Sequence, residues 1–241
     1  ILFARNAQET GDLALICRRT AEETETPFLN VQDGFLTTHT IENVHLPEPE
    51  LMKQFVGHPS ERTRPLFDPR VPLMSGVVQN QDSYMKGKIA QRKYYDRVLP
   101  TLKAVMDEYH RLTGRRYDVV MPYRLEDADY AIVGSGCMIE TAEATVDYIR
   151  KNLGVKVGLL HVTCWRPFPS IEIVEALRHC RAVSFIERLD IPTMQSNPLL
   201  CETKAAFADA ISGTPGYPEV DRLPRFFGGS AGLGSRDVRA G

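Results

Sequence analysis

Cysteine is scarce and scattered in this sequence. The five cysteines, at positions 17, 137, 164, 180 and 201, include no Cys-x-x-Cys pair, the spacing by which one loop grips an iron-sulfur cluster or a zinc ion. The chain is therefore expected to ligate no metal and no cluster. Cys17 and Cys180 fall among apolar neighbours on helical patterns and read as small hydrophobes. Cys137 and Cys164 fall at strand ends and read the same way, with an exposed thiol as the alternative. No apolar run approaches the roughly 20 residues that span a bilayer, and the N-terminus has neither a basic region nor a signal-type apolar core. Charge of one sign is also missing: 29 Lys and Arg stand against 31 Asp and Glu, for a formal net charge of -2. Nucleic acid and anionic membrane both demand concentrated Lys and Arg, and the Arg111, Arg115, Arg116 cluster is too small for either. The expectation is a cytoplasmic protein with no nucleic acid and no membrane among its partners.

What is present is a strand and helix rhythm over residues 129–190. Tyr130 to Val133, Val155 to Val162 and Ala182 to Ile186 are short runs rich in Val and Ile, bounded by Gly, Pro or charge, and read as strands buried on both faces. Between the first two, Ile139, Ala142, Val146, Ile149 and Leu153 form one apolar stripe on a helix that Gly154 stops. Between the last two, Ser170 caps a helix with Ile171, Val174 and Leu177 inward. This order predicts an α/β fold, a mainly parallel sheet with right-handed crossovers. Ligands in such sheets sit at the carboxyl ends of the strands, here Gly134 to Cys137, Thr163 to Phe168 and Glu187 to Asp190. Gly134, Ser135 and Gly136 are candidate phosphate-cradling residues, although no third glycine or P-loop lysine follows; a tight turn opening a helix is the plainer reading.

In chain order, Ile1 to Ala4 reads as a strand. Asn6 and Glu9 form a capping box for the helix after it, with Leu13, Ile16, Cys17 and Thr20 inward, and Phe28 to Val31 is the next strand. So abrupt a start suggests the last part of a larger α/β domain, and hence a fragment. Asp33 and Gly34 suit a turn. His39 has no carboxylate or metal-spaced partner nearby, so a structural role outweighs a catalytic one. Six prolines between residues 46 and 81 mark a surface linker with a short helix around Glu50 to Val56. One long helix, Asp82 to Leu112, is expected to kink at Pro100 and end at Gly114. Asn197 and Pro198 open a further helix through Ala210, and Gly228 to Gly234 reads as a flexible exit loop, with an anion site as the alternative.

Several segments, taken in order, resemble one family. They are Pro27-Phe28-Leu29, Asp33-Gly34-Phe35-x-Thr37-x-His39, Gly76-x-x-Gln79-Asn80-x-Asp82 and Leu112-Thr113-Gly114-Arg115-x-Tyr117. They continue with Gly154-x-x-x-Gly158-Leu159-Leu160-x-Val162, Trp165-Arg166-Pro167-Phe168, Glu187-Arg188 and Gly228-Gly229-x-x-Gly232-Leu233-Gly234-Ser235. The set resembles the 2-oxoacid:ferredoxin (flavodoxin) oxidoreductases. The Arg-Pro-Phe corner resembles the transketolase C-terminal type of domain. The resemblance implies the end of a thiamine-diphosphate-binding-type domain followed by a transketolase C-terminal-like three-layer α/β domain. Its divisions are a pyrimidine-binding-like part at 1–45, a proline-rich linker and long helix at 46–122, and the transketolase C-terminal-like domain at 123–241.

The implied activity is oxidative decarboxylation of pyruvate or a related 2-oxoacid to acyl-coenzyme A. Thiamine diphosphate, Mg2+, [4Fe-4S] clusters and coenzyme A act in the whole enzyme, and none is expected on this fragment alone. The implied partners are the remaining domains or subunits, ferredoxin or flavodoxin, and a second copy in a homodimer. The family's activating glutamate and its substrate-binding arginine and threonine precede Ile1, so no residue here is assigned a catalytic role. Ser196-Asn197-Pro198-Leu199 stands where Gly-Glu-Pro-Leu is usual. Arg166 is a candidate for a coenzyme A phosphate or carboxylate, and an ion pair with Glu187 is the plainer account. A 2-oxoacid dehydrogenase β-subunit, a transketolase-like protein and a non-catalytic interaction domain are the rival readings.

Overall fold

The computed structural model describes residues 1–239. In chain order the elements are β1 (Leu2–Phe3), α1 (Ala7–Thr24), β2 (Asn30–Val31), α2 (Pro49–Val56), α3 (Tyr84–Tyr95), α4 (Val98–Thr113) and β3 (Val120–Tyr123). They continue with β4 (Tyr130–Gly134), α5 (Met138–Leu153), β5 (Val157–Val162), α6 (Ser170–Leu177), β6 (Ala182–Glu187), α7 (Pro198–Ile211) and β7 (Arg225–Ser230). The chain divides into two compact units. One comprises Ile1–Gly11, Asn30–His45 and the residues from Asp118 onward, and the other comprises Asp12–Leu29 and Leu46–Tyr117.

The first unit is built on a five-stranded sheet in the order β3-β5-β4-β6-β7. β5, β4, β6 and β7 run parallel, and β3 lies antiparallel on the outside of β5. Side chains alternate across the pleat. Ala131 and Val133 join Leu160, Val183 and Phe185 in a core with Val174 and Leu177 of α6 and Leu199 and Phe207 of α7. Ile132 and Leu159 pack on the other face with Ile139 and Val146 of α5. Helices thus cover both faces, and the strands read as continuous apolar runs because neither side meets water. β1 and β2 form a separate parallel pair, and the Phe3 amide donates to the Thr163 carbonyl at 2.8 Å.

Two edge strands depart from the sequence expectation. The stretch before Asp129, outside the strand and helix rhythm that the sequence shows over 129–190, contributes β3. Its Pro122 has no N–H to donate to the ladder, and an outer strand tolerates that loss. Gly228 to Ser230, read as the start of a flexible loop, continue β7 alongside β6. A Cβ at Gly228 would come within 2.7 Å of Leu200 Cδ2, so glycine there admits α7 close to the strand.

The second unit is helical. Leu13 and Ile16 of α1, Phe55 of α2, and Val98, Leu102, Val105, Met106 and Tyr109 of α4 are buried, and Phe55 meets Tyr109 edge-on at 5.0 Å. Asp12, fully buried, accepts hydrogen bonds from the Tyr109 and Tyr117 hydroxyls at 2.6 Å each and from Arg115 Nε at 2.6 Å. Burial and the Asp12 hydrogen bond push the Tyr109 hydroxyl up to about 12. In place of one kinked helix, α3 and α4 are separated at Asp96 and Arg97. Pro100 lies in the first turn of α4, where a missing N–H is not needed by the helix.

Candidate functional site

Because β5, β4, β6 and β7 are parallel, the ends of β4, β5 and β6 fall on one sheet edge, as the sequence implies. The chain runs from β4 to β5 on one side and then to β6 on the other. Strand order therefore reverses around β4, and the crevice outside such a reversal is where α/β folds usually place ligands. Here a side chain of the same unit occupies it. Asp33 Oδ2 accepts the Cys137 amide at 2.6 Å, and Oδ1 pairs with Arg188 Nη1 at 3.2 Å. The carboxylate supplies the negative charge that the N-terminus of α5 favours.

The glycine turn is shaped for that carboxylate. Gly136 has φ of 80°, and a Cβ on it would stand 2.4 Å from Asp33 Oδ2. Ser135 Oγ donates to the Val162 carbonyl at 2.7 Å and accepts from Trp165 Nε1 at 2.9 Å, tying the turns after β4 and β5 together. Gly134 lies against the Ile186 carbonyl, 3.2 Å from where a Cβ would be. Gly134, Ser135 and Gly136 are thus brought together with Asp33 and Arg188. Arg188 Nη1 also donates to Cys137 Sγ at 3.1 Å. Burial and the Asp33 hydrogen bond push the Cys137 thiol up to about 11, away from the thiolate that a nucleophile needs.

Arg166 stands apart from this cluster. Its guanidinium pairs with the Glu202 carboxylate on α7, with Nη1 to Oε2 at 3.2 Å and a shorter contact from Nη2 to Oε1. The expected Arg166–Glu187 pair is therefore corrected. Glu187 instead accepts the amides of Leu199 at 2.9 Å and Leu200 at 3.2 Å, capping α7. A helix N-terminus with unsatisfied N–H groups competes well for a buried carboxylate, and burial raises the Glu187 pKa while those two bonds oppose the shift. His39 pairs with Thr38 Oγ1 at 2.7 Å and stacks on Phe35 at 4.7 Å.

Beside the Cys137 turn a cavity of about 340 Å³ is lined by Arg5, Thr37, Thr40, Glu42, Cys137 and Glu140, among others. Arg5 Nη1 donates to Glu143 Oε1 at 2.7 Å, and its amide donates to Glu9 at 2.6 Å. Burial pushes the Glu9 carboxyl up to about 7, against that amide bond, and burial holds His161 neutral, down to about 3. Among the described residues no three His, Cys, Asp or Glu side chains are grouped to hold a metal ion, and no helix is long and apolar enough to cross a membrane. The residues present do not fit a bound diphosphate at the glycine turn, since its Cys137 amide and its charge are already taken by Asp33. The sequence marks Asp33 as a turn residue at the head of a family segment, and its distance of 155 positions from Arg188 leaves no local signal of their pairing.

Two family matches cover most of the chain. Residues 1–107 match the thiamine-diphosphate-binding region of pyruvate flavodoxin/ferredoxin oxidoreductase, and residues 128–221 match core domain II of pyruvate:ferredoxin oxidoreductase. A pyruvate-flavodoxin oxidoreductase of Nostoc sp. is 34% identical across 100% of this chain and 58% of its own length. A probable pyruvate-flavodoxin oxidoreductase of Escherichia coli is 33% identical across 98% of this chain and 20% of its own length. The pyruvate synthase subunit PorA of Pyrococcus furiosus is 30% identical across 98% and 57%. The chain therefore spans less than two thirds of each of these relatives. With both matched regions in order and these relatives aligned over 98–100% of its length, the chain is similar throughout to the pyruvate:ferredoxin and pyruvate-flavodoxin oxidoreductases.

Proposed function

We propose that the chain is one section of a thiamine-diphosphate-dependent 2-oxoacid:ferredoxin or flavodoxin oxidoreductase, acting on pyruvate or a related 2-oxoacid to give acyl-coenzyme A and CO2. The observation that carries this reading is the consecutive match of two regions of one oxidoreductase family along a single chain. In this reading residues 1–45 end a pyrimidine-binding-like domain, 46–122 link, and 123–241 form a transketolase C-terminal-like domain. The section supports and assembles the enzyme rather than carrying its chemistry. Two features support that division of labour: Asp33 fills the crevice at the strand reversal, and Arg166 is held by Glu202.

Thiamine diphosphate, Mg2+, [4Fe-4S] clusters and coenzyme A would then be held by parts of the enzyme outside these residues, and the partners are those other domains or subunits. Ferredoxin or flavodoxin takes the electrons, two copies form the dimer, and the enzyme works in the cytoplasm. The test is cofactor content. The full-length protein, purified with its subunits, is expected to retain thiamine diphosphate and iron after desalting, whereas the 241-residue chain titrated with thiamine diphosphate is expected to give no binding heat. Stoichiometric binding by the chain alone would overturn the supporting role, and a full-length protein with neither cofactor would overturn the family chemistry.

A further inference from the structure

α3 is a helix without a floor. None of its residues is buried, and Tyr84, Met85, Ile89 and Tyr95 are exposed. A helix of 12 residues whose most covered side, Gly87, Gln91 and Tyr94, is only half-buried is marginal in water, because propagation barely repays nucleation at that length. Many i,i+4 ion pairs would be the usual compensation. Among the described residues α3 has one, Arg92 to Asp96 at 3.9 Å. The rest of its charge is of one sign: from Tyr84 to Arg97 the sequence carries Lys86, Lys88, Arg92, Lys93 and Arg97 against Asp96 alone. Lys88 and Lys93 lie over the rings of Tyr84 and Tyr94 at 5.8 and 4.9 Å.

The same unit exposes further apolar side chains just before α3. Leu66, Phe67, Val71, Leu73, Met74, Val77 and Val78 are all exposed. A groove of about 610 Å³ runs along α3 itself, lined by Lys88, Lys93, Tyr84, Gln91 and Tyr94 and by one acidic side chain, Glu25, among others. Exposed apolar surface concentrated on one segment, beside a helix whose own charge is almost all basic, marks an interaction face.

We infer that the basic, aromatic face of α3 is a docking surface for an acidic protein surface in the portion of the enzyme outside these 241 residues. This inference rests on the chain being a section of a larger enzyme. Much chain is available to dock: the Escherichia coli relative places the matching segment within 20% of its length. Charge selects the occupant. A second copy meeting this face in a two-fold arrangement would set Lys86, Lys88 and Lys93 against themselves, and like charges facing each other at an interface oppose binding. A nucleic acid would leave the Met85 and Ile89 side chains uncovered, and an anionic membrane would meet a chain of net charge -2. An acidic protein surface with apolar residues covers those side chains and pairs the lysines.

The test is zero-length carbodiimide cross-linking of the full-length enzyme, assembled from an equal mixture of isotope-labelled and unlabelled protein, followed by peptide mass spectrometry. The expected result joins Lys86, Lys88 or Lys93 to Asp or Glu residues outside the 241-residue segment. The yield should fall several-fold as salt rises from about 0.05 to about 0.5 M, because screening shortens the reach of the pairs. A Lys86→Glu, Lys88→Glu, Lys93→Glu variant should lose these joins and weaken assembly while its helical circular dichroism is kept. Joins to residues 1–241 of the oppositely labelled copy, acetylation of all three lysines at the rate of Lys53, an exposed lysine of α2, in the assembled enzyme, or charge-dependent retention of RNA or phosphatidylserine vesicles would each overturn the inference. Failure of the underlying reading looks different: the native polypeptide would weigh about the 27.1 kDa of this chain and carry no other subunit.

Discussion

Replacing Asp33 with alanine removes the charge that fills the crevice at the strand reversal, and its cost can be worked from the contacts. The carboxylate is largely shielded from solvent, with 17% of its side-chain area exposed, and it faces an Arg188 that is 14% exposed. Deletion loses a charge-assisted hydrogen bond from the Cys137 amide, about 1.5–3 kcal/mol. It also leaves the Arg188 guanidinium without a carboxylate, near a helix N-terminus that repels it. A total of about 3 kcal/mol, in a unit of this size, lowers the melting temperature by roughly 6–12 °C. The sole tryptophan, Trp165, donates to Ser135 in the adjoining turn, so its fluorescence reports melting at this edge. Asp33→Ala should also create a weak anion site that Asp33 otherwise closes, so millimolar inorganic phosphate should raise the variant's melting temperature and leave the parent's unchanged. A variant that melts within 1 °C of the parent, or a parent stabilised equally by phosphate, would refute the assignment of Asp33 as the resident anion (that 1 °C margin being about a tenth of the expected shift).

Gly136→Ala should destabilise by more than about 2 kcal/mol, because it combines a left-handed φ with a Cβ driven into the Asp33 carboxylate; urea titration would show it, and a neutral result would mean the turn is looser than described. Arg166→Ala should cost no more than about 1 kcal/mol, since its partner Glu202 and the arginine are both well exposed, whereas Glu187→Ala should cost about 1–3 kcal/mol by stranding two amides of α7; paired thermal melts test the ranking. Asp12→Ala should cost about 3–5 kcal/mol, leaving Arg115 and two tyrosine hydroxyls without their shared acceptor. Glu9 has a folded pKa of about 7 against 4.5 unfolded, so the folded state holds the extra proton between those values and Glu9 makes stability fall as pH rises from 4.5 to 7. Glu9→Gln should flatten that decline, and an unchanged stability-pH slope would contradict the shift.

The parts of the fold that repeat within a short window were readable from the sequence. Strands β4, β5 and β6 and the helices between them follow from apolar runs and stripes, because burial on both faces forces a pattern that solvent-facing strands do not show. The edges were not readable for the same reason. β3 carries Pro122, and β7 is half glycine and serine, and neither reads as a strand until a neighbouring strand is known to lie beside it. The break between α3 and α4 was misplaced because Pro100 disrupts a helix only beyond its first turn. The glycine turn was found, but its occupant was not: Asp33 and Cys137 are separated by 104 positions, and no periodicity links them. Arg166 was given the wrong acidic partner since sequence fixes which strand ends are adjacent, not which helix amides also compete for a carboxylate there.

The central claim is that this chain is a supporting section of a thiamine-diphosphate-dependent 2-oxoacid oxidoreductase. The most direct measurement is 2-oxoacid-dependent reduction of viologen by the full-length enzyme, supplied with thiamine diphosphate, Mg2+ and coenzyme A, using the parent and the Asp33→Asn variant. The expected result is reduction with pyruvate or a related 2-oxoacid, dependent on thiamine diphosphate, and an unchanged Michaelis constant for coenzyme A in the variant once folded. No reduction with any of several 2-oxoacids, or a many-fold change in that constant at unaltered melting temperature, would contradict it.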